Sequence, residues 1–369
     1  MIGLIPVENS EPLDAVRSLL RQLIDTGLVE ALFVPLEMEG GAITPALVTD
    51  PEHLARANPL APAMPINSAR AVSSLTGKHS PARLGAVLRP CELRALVELV
   101  KLQQASLEDV TLISLDCPGT YEWAEYKTLQ HADGMNLAGY LTKGEAYNGH
   151  GLRQACQMCT QPTPAGADIH LQFFGADLAT GIPVELDAGL AELLEIAEKT
   201  DAAGSNRQAV LDPLLAQREQ TRQQELGAIA EHIASNGGLP GVFETCIRCY
   251  NCMTVCPICY CKNCLFSTAA FNHAPEHYLN AARRKGAMRL PGDILLFHLT
   301  RMNHMGLSCV SCGMCTSACP ADIPVGLVFS MVGEQVQGAF DYQPGKDVHE
   351  PLPLVTFETN EWVEIGEVR

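Results

Sequence analysis

The stretch CIRCYNCMTVCP, residues 246–257, decides how the rest of the chain is read, because CVSCGMCTSACP at 309–320 repeats its spacing. Each run places cysteines as C-x2-C-x2-C-x3-C and follows the last with proline. Two-residue spacings wrap three thiolates round one corner of a cube, and the fourth cysteine points away to a second cube. That geometry assigns Cys246, Cys249, Cys252 and Cys319 to one 4Fe–4S cluster, and Cys309, Cys312, Cys315 and Cys256 to another. Zinc or free thiols are the plainer alternatives, and neither calls for this run twice over.

Outward from these runs, the cysteine count supports metal chemistry. The 369-residue chain carries 15 cysteines, seven between 246 and 264 and four between 309 and 319. The opening MIGLIPVENSEPLDAV has neither a basic start nor a long apolar core, so no export signal is read there, and a cytoplasmic location is expected. A disulfide framework is then not expected, and clustered thiols point to metal. No apolar run reaches the ~18 residues of a membrane span. The net charge of −17, from 42 acidic against 25 basic residues, argues against nucleic acid and anionic membranes as partners. Cys256 and Cys309 stand 53 positions apart, and the insert carries helical patterns in HYLNAARRKGAMRL and PGDILLFHLTRMNHM. This region, 242–335, resembles the all-helical ferredoxins of succinate dehydrogenase iron–sulfur subunits and heterodisulfide reductase. Cys259, Cys261 and Cys264 remain over; they are packing or free thiols, or they hold an extra metal.

The N-terminal half reads as α/β. Leu13, Val16, Leu19, Leu20, Leu23 and Ile24 recur at helical spacing, ALFVPL (31–36) reads as a strand, and ARANPLAPAMPINS (55–68) as loop. LGAVLR (84–89) is a buried strand, and PCELRALVELVKL follows as a helix with Pro90 near its start. VTLISLD (110–116) and IHLQFF (169–174) are further strands, and GLAELLEIAEK (189–199) a helix. Strand–helix–strand order implies a parallel sheet. Cys91 and Cys117 each follow a strand, so both reach one sheet edge, and a helix N-terminus favours thiolate there. Cys156 and Cys159 form a C-x2-C pair. Four such cysteines suggest a third cluster, against the plain reading of isolated buried thiols.

RPCELRAL (89–96), DCPGTY (116–121) and CQMCTQPTPAGADIHLQFFG (156–175) resemble signature blocks of the coenzyme F-420 hydrogenase/dehydrogenase beta subunit family. The resemblance spans about residues 10–180. The order of parts, ending in a helical two-cluster ferredoxin, is similar to the formate dehydrogenase branch. It implies one FAD and a 4Fe–4S cluster beside it, three clusters in all, with Cys91, Cys117, Cys156 and Cys159 as the added ligands. The flavin is expected against the sheet edge, covered by the loop 65–78. Asn67, Ser68 and Lys78 are candidates for its ribityl and phosphate groups, and Arg89, Pro90, Gly119 and Thr120 lie at the same edge. Where the hydrogenase branch has small residues before Pro-Cys, this chain has Leu88-Arg89. The hydride carrier is then coenzyme F-420 or NAD(P). Implied partners are a catalytic formate dehydrogenase or hydrogenase subunit, or a heterodisulfide reductase-like complex.

The expected organisation is a flavin and cluster domain (1–198), a helical connector (199–241) that NGGLPG ends, a two-cluster helical ferredoxin domain (242–335) and a tail (336–369) with strand-like patches. No G-x-G-x-x-G follows a strand, and EMEGGAIT (37–44) reads as a turn. His273 and His277, four apart on an expected helix, read as surface or core residues. The chain is too short to enclose a molybdenum or tungsten pterin, so it does not oxidise formate alone. The expected function is an electron-transfer oxidoreductase subunit. A stand-alone flavin iron–sulfur reductase of an organic substrate, or a flavin-free iron–sulfur wire, are the other classes.

Overall fold

Short runs of apolar residues dictate the centre of the molecule. In the computed structural model, which describes residues 1–8, 11–77, 83–130, 136–147, 150–199, 204–286 and 292–355, they form a seven-stranded sheet. Its strands are β1 (Ile2–Ile5), β2 (Ala31–Glu37), β3 (Ile43–Val48), β4 (Leu84–Leu88), β5 (Val110–Leu115), β6 (Ile169–Leu171) and β7 (Ile182–Leu186), in the spatial order β1-β7-β6-β5-β4-β2-β3. The inner four, β2, β4, β5 and β6, are parallel; β1, β3 and β7 pair antiparallel at the flanks. All five residues of β4 are buried, as a strand covered on both faces requires.

Register puts the chemistry at one edge. Leu84 pairs with Val110 and Leu88 with Ser114, so β4 and β5 finish side by side, and the Ser114 hydroxyl donates to the Leu88 carbonyl at 2.6 Å. Pro90 opens the helix Pro90–Lys101 immediately after β4. The Glu92 carboxylate accepts from the Arg89 N–H at 2.9 Å and from the Ser68 N–H at 2.8 Å, which satisfies one orphan donor at the helix start and pins the segment before Ala69–Thr76.

One face of the sheet is covered by the amphipathic helix Pro12–Asp25, whose Val16, Leu19, Leu20 and Leu23 are buried. The other face holds the helix Pro90–Lys101, and here the apolar core runs without a break into the cysteine-rich part. Ala31, Phe33, Ala86, Leu96 and Leu99 belong to the same cluster as Phe297, Val310, Val328 and Phe329. The connector is a single helix, Gly204–Ser235, tied at one end by Arg207 and further along by an Arg222–Glu334 ion pair at 3.0 Å. The cysteine-rich part is helical as expected, with Pro275–Lys285 and Gly292–Met305 in the insert and Val325–Ala339 after the second run.

Several expectations change. β6 stops at Leu171, three residues short, because the Asp116 carboxylate takes the N–H groups of Phe173 and Phe174 at 2.8 and 3.0 Å. The helix near 189–199 is only Ala188–Leu193 and ends before Glu195, whose φ is +53°. Helix Val325–Ala339 runs through the expected boundary at 335. The tail forms none of the named strands among the described residues. Instead Tyr342 and Gly345 donate to the buried Glu98 carboxylate at 2.5 and 2.8 Å, strapping the tail to the helix Pro90–Lys101. His273 precedes its helix, which starts at Pro275, and its ring stacks on His277 with centroids 4.3 Å apart. The EMEGGAIT segment turns the β2–β3 hairpin, as read.

Candidate metal centres

Twelve of the cysteines line three cavities, four to each. The outer cavity is bounded by Cys246, Cys249, Cys252 and Cys319 with Tyr250, Phe297 and His298. The middle one is bounded by Cys256, Cys309, Cys312 and Cys315 with Arg301 and Gly313. The third, at the sheet edge, is bounded by Cys91, Cys117, Cys156 and Cys159 with Arg89, Pro90, Gly119 and Thr120, and Cys312 reaches its wall as well. Among the described residues no three His, Cys, Asp or Glu converge closely enough to hold a single metal ion. Each quartet instead stands around open space, which suits a group bridging four sulfurs rather than a lone zinc.

The two repeated runs share a backbone form. Arg248 and Tyr250 have φ of +59° and +61°; Ser311 and Gly313, at the same places in the second run, have +55° and +72°. Left-handed residues before and after the second cysteine wind the loop tightly enough for three thiols to face one space. Gly313 is also a point of close approach: a Cβ there would lie 2.3 Å from the Ala155 Cβ.

The sheet-edge set is assembled differently. Cys91 sits in the first turn of the helix Pro90–Lys101, Cys117 follows β5, and Cys156 lies in the short helix Gln154–Gln157. The Thr120 N–H lies 3.3 Å from the Cys156 sulfur, and Arg89 Nη1 lies 3.5 Å from the Cys117 sulfur. Gly119 lets the chain pass close by, since a Cβ on it would meet the Cys156 Cβ at 3.0 Å. Burial pushes the Cys91 and Cys315 thiols well above the ordinary thiol range and Cys309 up to about 12. Such thiols give up a proton when a metal takes its place.

Buried guanidinium groups join these sites. Arg301 donates to the Cys252 sulfur at 3.1 Å and to the Cys252 carbonyl at 2.9 Å, while lining the middle cavity. Arg153 donates to the Cys312 carbonyl at 3.0 Å, to the Thr120 hydroxyl at 3.3 Å and to the Ser317 hydroxyl at 3.1 Å, so it spans the middle and sheet-edge sites. Arg218 donates to the carbonyls of Pro118 and Cys159. His298 stacks on Phe243, with centroids 3.8 Å apart, and lies 3.5 Å from the Cys246 sulfur; burial, with Arg301 adding to it, lowers its pKa to about 3. Positive charge and N–H donors around four sulfurs are the surroundings an anionic cluster needs.

None of these arginines was singled out by motif except Arg89. A signal existed: Ile294, Phe297, His298, Arg301, Met302 and Met305 fall at helical core spacing, so the pattern itself puts a cation and an imidazole on a buried face. Asp116 was missed for lack of any local signal. Burial works to raise its pKa, but the bonds from Arg207 and His170 hold its carboxyl below the usual range.

The positions expected around a flavin lie close to the sulfurs. Arg89, Pro90, Gly119 and Thr120 line the sheet-edge cavity. Asn67 and Ser68 are buried, with the Asn67 side chain accepting from the Ala69 N–H at 3.1 Å and lying beside Cys312. Lys78 lies outside the described residues. The segment 65–78 is not all loop, since Ala69–Thr76 is helical. The described part of this set fits a sulfur-held group and does not by itself outline a flavin-sized space. Of the three remaining thiols, Cys261 is exposed and the Cys264 sulfur packs 3.6 Å from that of Met253.

Residues 242–323 match the family described as 4Fe-4S dicluster domain. The F420-dependent formate dehydrogenase subunit beta of Methanocaldococcus jannaschii is 25% identical over 381 residues, 93% of this chain and 94% of that one. The F420-dependent formate dehydrogenase 1 subunit beta of Methanococcus maripaludis is 26% identical over 388 residues, 94% of each chain. Among solved structures, a chain of the F420-reducing NiFe hydrogenase complex from Methanosarcina barkeri is similar with a TM-score of 0.45 and 11% identity, covering 62% of this chain and 92% of that one. The C-terminal part is thus a 4Fe–4S dicluster domain behind an α/β sheet, and the resemblance to the formate dehydrogenase branch of the coenzyme F-420 hydrogenase/dehydrogenase beta subunit family extends along nearly the whole chain.

Proposed function

We propose that this chain is the electron-transfer subunit of a cytoplasmic oxidoreductase complex, carrying single electrons between a catalytic partner subunit and a hydride carrier, coenzyme F-420 or NAD(P). The partner is a formate dehydrogenase or hydrogenase catalytic subunit, or a heterodisulfide reductase-like complex. Three 4Fe–4S clusters form the relay, held by the twelve cysteines of the three cavities. The observation that carries this reading is their single file. Arg301 touches the outer and middle sites, and Cys312 borders the middle and sheet-edge sites. The outer end is open: Cys249 is exposed, and the neighbouring Ile247 is 68% exposed. That is where electrons exchange with a partner. The relatives' printed names, F420-dependent formate dehydrogenase beta subunits, support the carrier and the partner class.

The chain's own residues serve the relay in stated ways. Cysteine thiolates hold the clusters, and Arg301, Arg153 and Arg89 offset their negative charge. The shared apolar core excludes water from the middle and sheet-edge sites, which lowers the reorganisation around each centre. Clusters carry single electrons and hydride carriers accept pairs, so a bound FAD supplies the conversion between them. The division into a flavin and cluster domain (1–198), connector (199–241) and ferredoxin domain (242–335) belongs to the same proposal. No helix among the described residues is long and apolar enough to cross a membrane.

Anaerobic analysis of the purified chain tests the count. About twelve irons are expected from twelve ligands at four per cluster; eight would remove the sheet-edge cluster. Flavin extraction decides between this reading and the flavin-free wire.

A further inference from the structure

Arg301 is 3% exposed, and its surroundings lack the partner that a buried cation ordinarily requires. Among the described residues no carboxylate pairs with it. Its guanidinium is flanked by the rings of Phe297 and Phe329, at 5.5 and 4.8 Å. One nitrogen donates to the Cys252 sulfur, another to the Cys252 carbonyl, and Nε is buried with no acceptor. Its remaining open side faces the middle cavity, among Cys256, Cys309, Cys312 and Cys315. Burying an unpaired guanidinium costs several kcal/mol. The group is therefore stable in this position only when negative charge stands next to it, and the sources on hand are the thiolate-ligated groups of the two quartets, with the Cys259 thiol close by.

We propose that Arg301 is the shared counter-charge of the outer and middle clusters and sets both of their reduction potentials. This rests on the reading that the two quartets hold 4Fe–4S clusters. A cation next to a centre that gains one electron stabilises the reduced form more than the oxidised one, since the reduced form carries the extra negative charge. In a water-poor core that effect is strong, and a residue placed between two centres moves them together. Arg301 then keeps neighbouring steps of the relay matched in potential. It is a positioning residue, touching one ligand directly and the second site through space.

The test uses the full chain, purified without oxygen, titrated with dithionite as electron donor and followed by electron paramagnetic resonance. One electron enters each cluster, and no iron–sulfur bond to the protein breaks. Signals are assigned with Cys249→Ser for the outer site and Cys315→Ser for the middle site. Arg301→Gln removes the charge and keeps a donor; Arg301→Lys keeps the charge and loses the planar fork. In Arg301→Gln both midpoints are expected to fall by at least a tenfold change in the reduced-to-oxidised ratio, about 59 mV for one electron, with iron and sulfide content unchanged. Arg301→Lys should stay close to the unsubstituted protein. A shift in one signal only, no shift, or equal shifts in the Gln and Lys variants would overturn the shared-charge role. If Arg301→Gln loses iron from both sites while Arg301→Lys retains it, the charge role stands; equal loss from both variants overturns it. Absence of both signals from the unsubstituted protein defeats the underlying cluster reading instead.

Discussion

The cysteine-rich part and the sheet edge each bring four thiols round a cavity, yet they do so by opposite means. In the former, ligands two or three residues apart are gathered by the backbone itself, through paired left-handed residues at 248 and 250 and again at 311 and 313. At the sheet edge, Cys91 and Cys117 meet because β4 and β5 are parallel and in register, and Cys156 and Cys159 arrive from the short helix Gln154–Gln157 and the residues just after it. One site is written in spacing and the other in topology. A site of the first kind tolerates much change around it. A site of the second kind depends on the whole sheet.

The largest effect that could break this comparison is loss of iron. Cys249→Ser, in the outer quartet, should cost about four of about twelve irons and leave the sheet-edge signal intact. Cys156→Ser should also remove about four irons and, because its quartet is assembled by the sheet, lower the thermal midpoint of the whole chain. Equal thermal effects of the two variants would show that the sheet edge is no more bound to its fold than the repeat is.

Next in size comes the node that closes the sheet edge. Asp116 receives a bidentate bond from Arg207 and a 2.9 Å contact from His170. Asp116→Ala leaves a half-buried guanidinium unpaired, and an unfolding loss of roughly 3–5 kcal/mol is expected, read by urea denaturation. A loss below 1 kcal/mol would remove Asp116 as the anchor. Leu96→Ala, in the core shared by sheet and cysteine-rich part, should cost about 2–5 kcal/mol. Far-ultraviolet circular dichroism and the visible cluster band should move together in that variant, because one core serves both parts. Two separate transitions would restore the independent domains read from the sequence.

Smaller effects sharpen the boundary of the fold. Tyr342→Phe removes a donor to the buried Glu98 carboxylate, and about 1.5–3 kcal/mol should be lost. Arg83 and Glu30 form a pair at 3.2 Å with both side chains half exposed, so Arg83→Ala should change stability by no more than about 1 kcal/mol.

What was legible in the sequence follows from distance along the chain. The spacing of the repeated runs, the apolar run of β4, the proline opening the next helix and the core stripe of Pro12–Asp25 are local signals, and each agrees with the structure. β1 and β7 were not foreseen, since each is short and becomes a strand through pairing with the other across the length of the domain. β3 carries Pro45 and is buried only at its ends, Ile43 and Val48, which suits an edge strand and masks it. The tail strap depends on Glu98, more than 240 positions away. Arg301 and His298 are within reach of periodicity, but a cation on a core stripe is usually discounted.

The repeat also has an inner and an outer copy, and one pair of residues records which is which. Tyr250 and Gly313 occupy the same place and the same left-handed backbone, yet Tyr250 has room for its ring edge-on to Phe297, 5.0 Å away, whereas Gly313 has Ala155 against it. Packing against the short helix Gln154–Gln157 closes the second run at 313, while the first run keeps room for a side chain at 250. Position 250 thus admits a side chain where 313 admits only glycine, although the ligands of the two runs are spaced alike. A library randomised at both sites and selected for bound iron would display that inequality directly, with variety at 250 and almost none at 313.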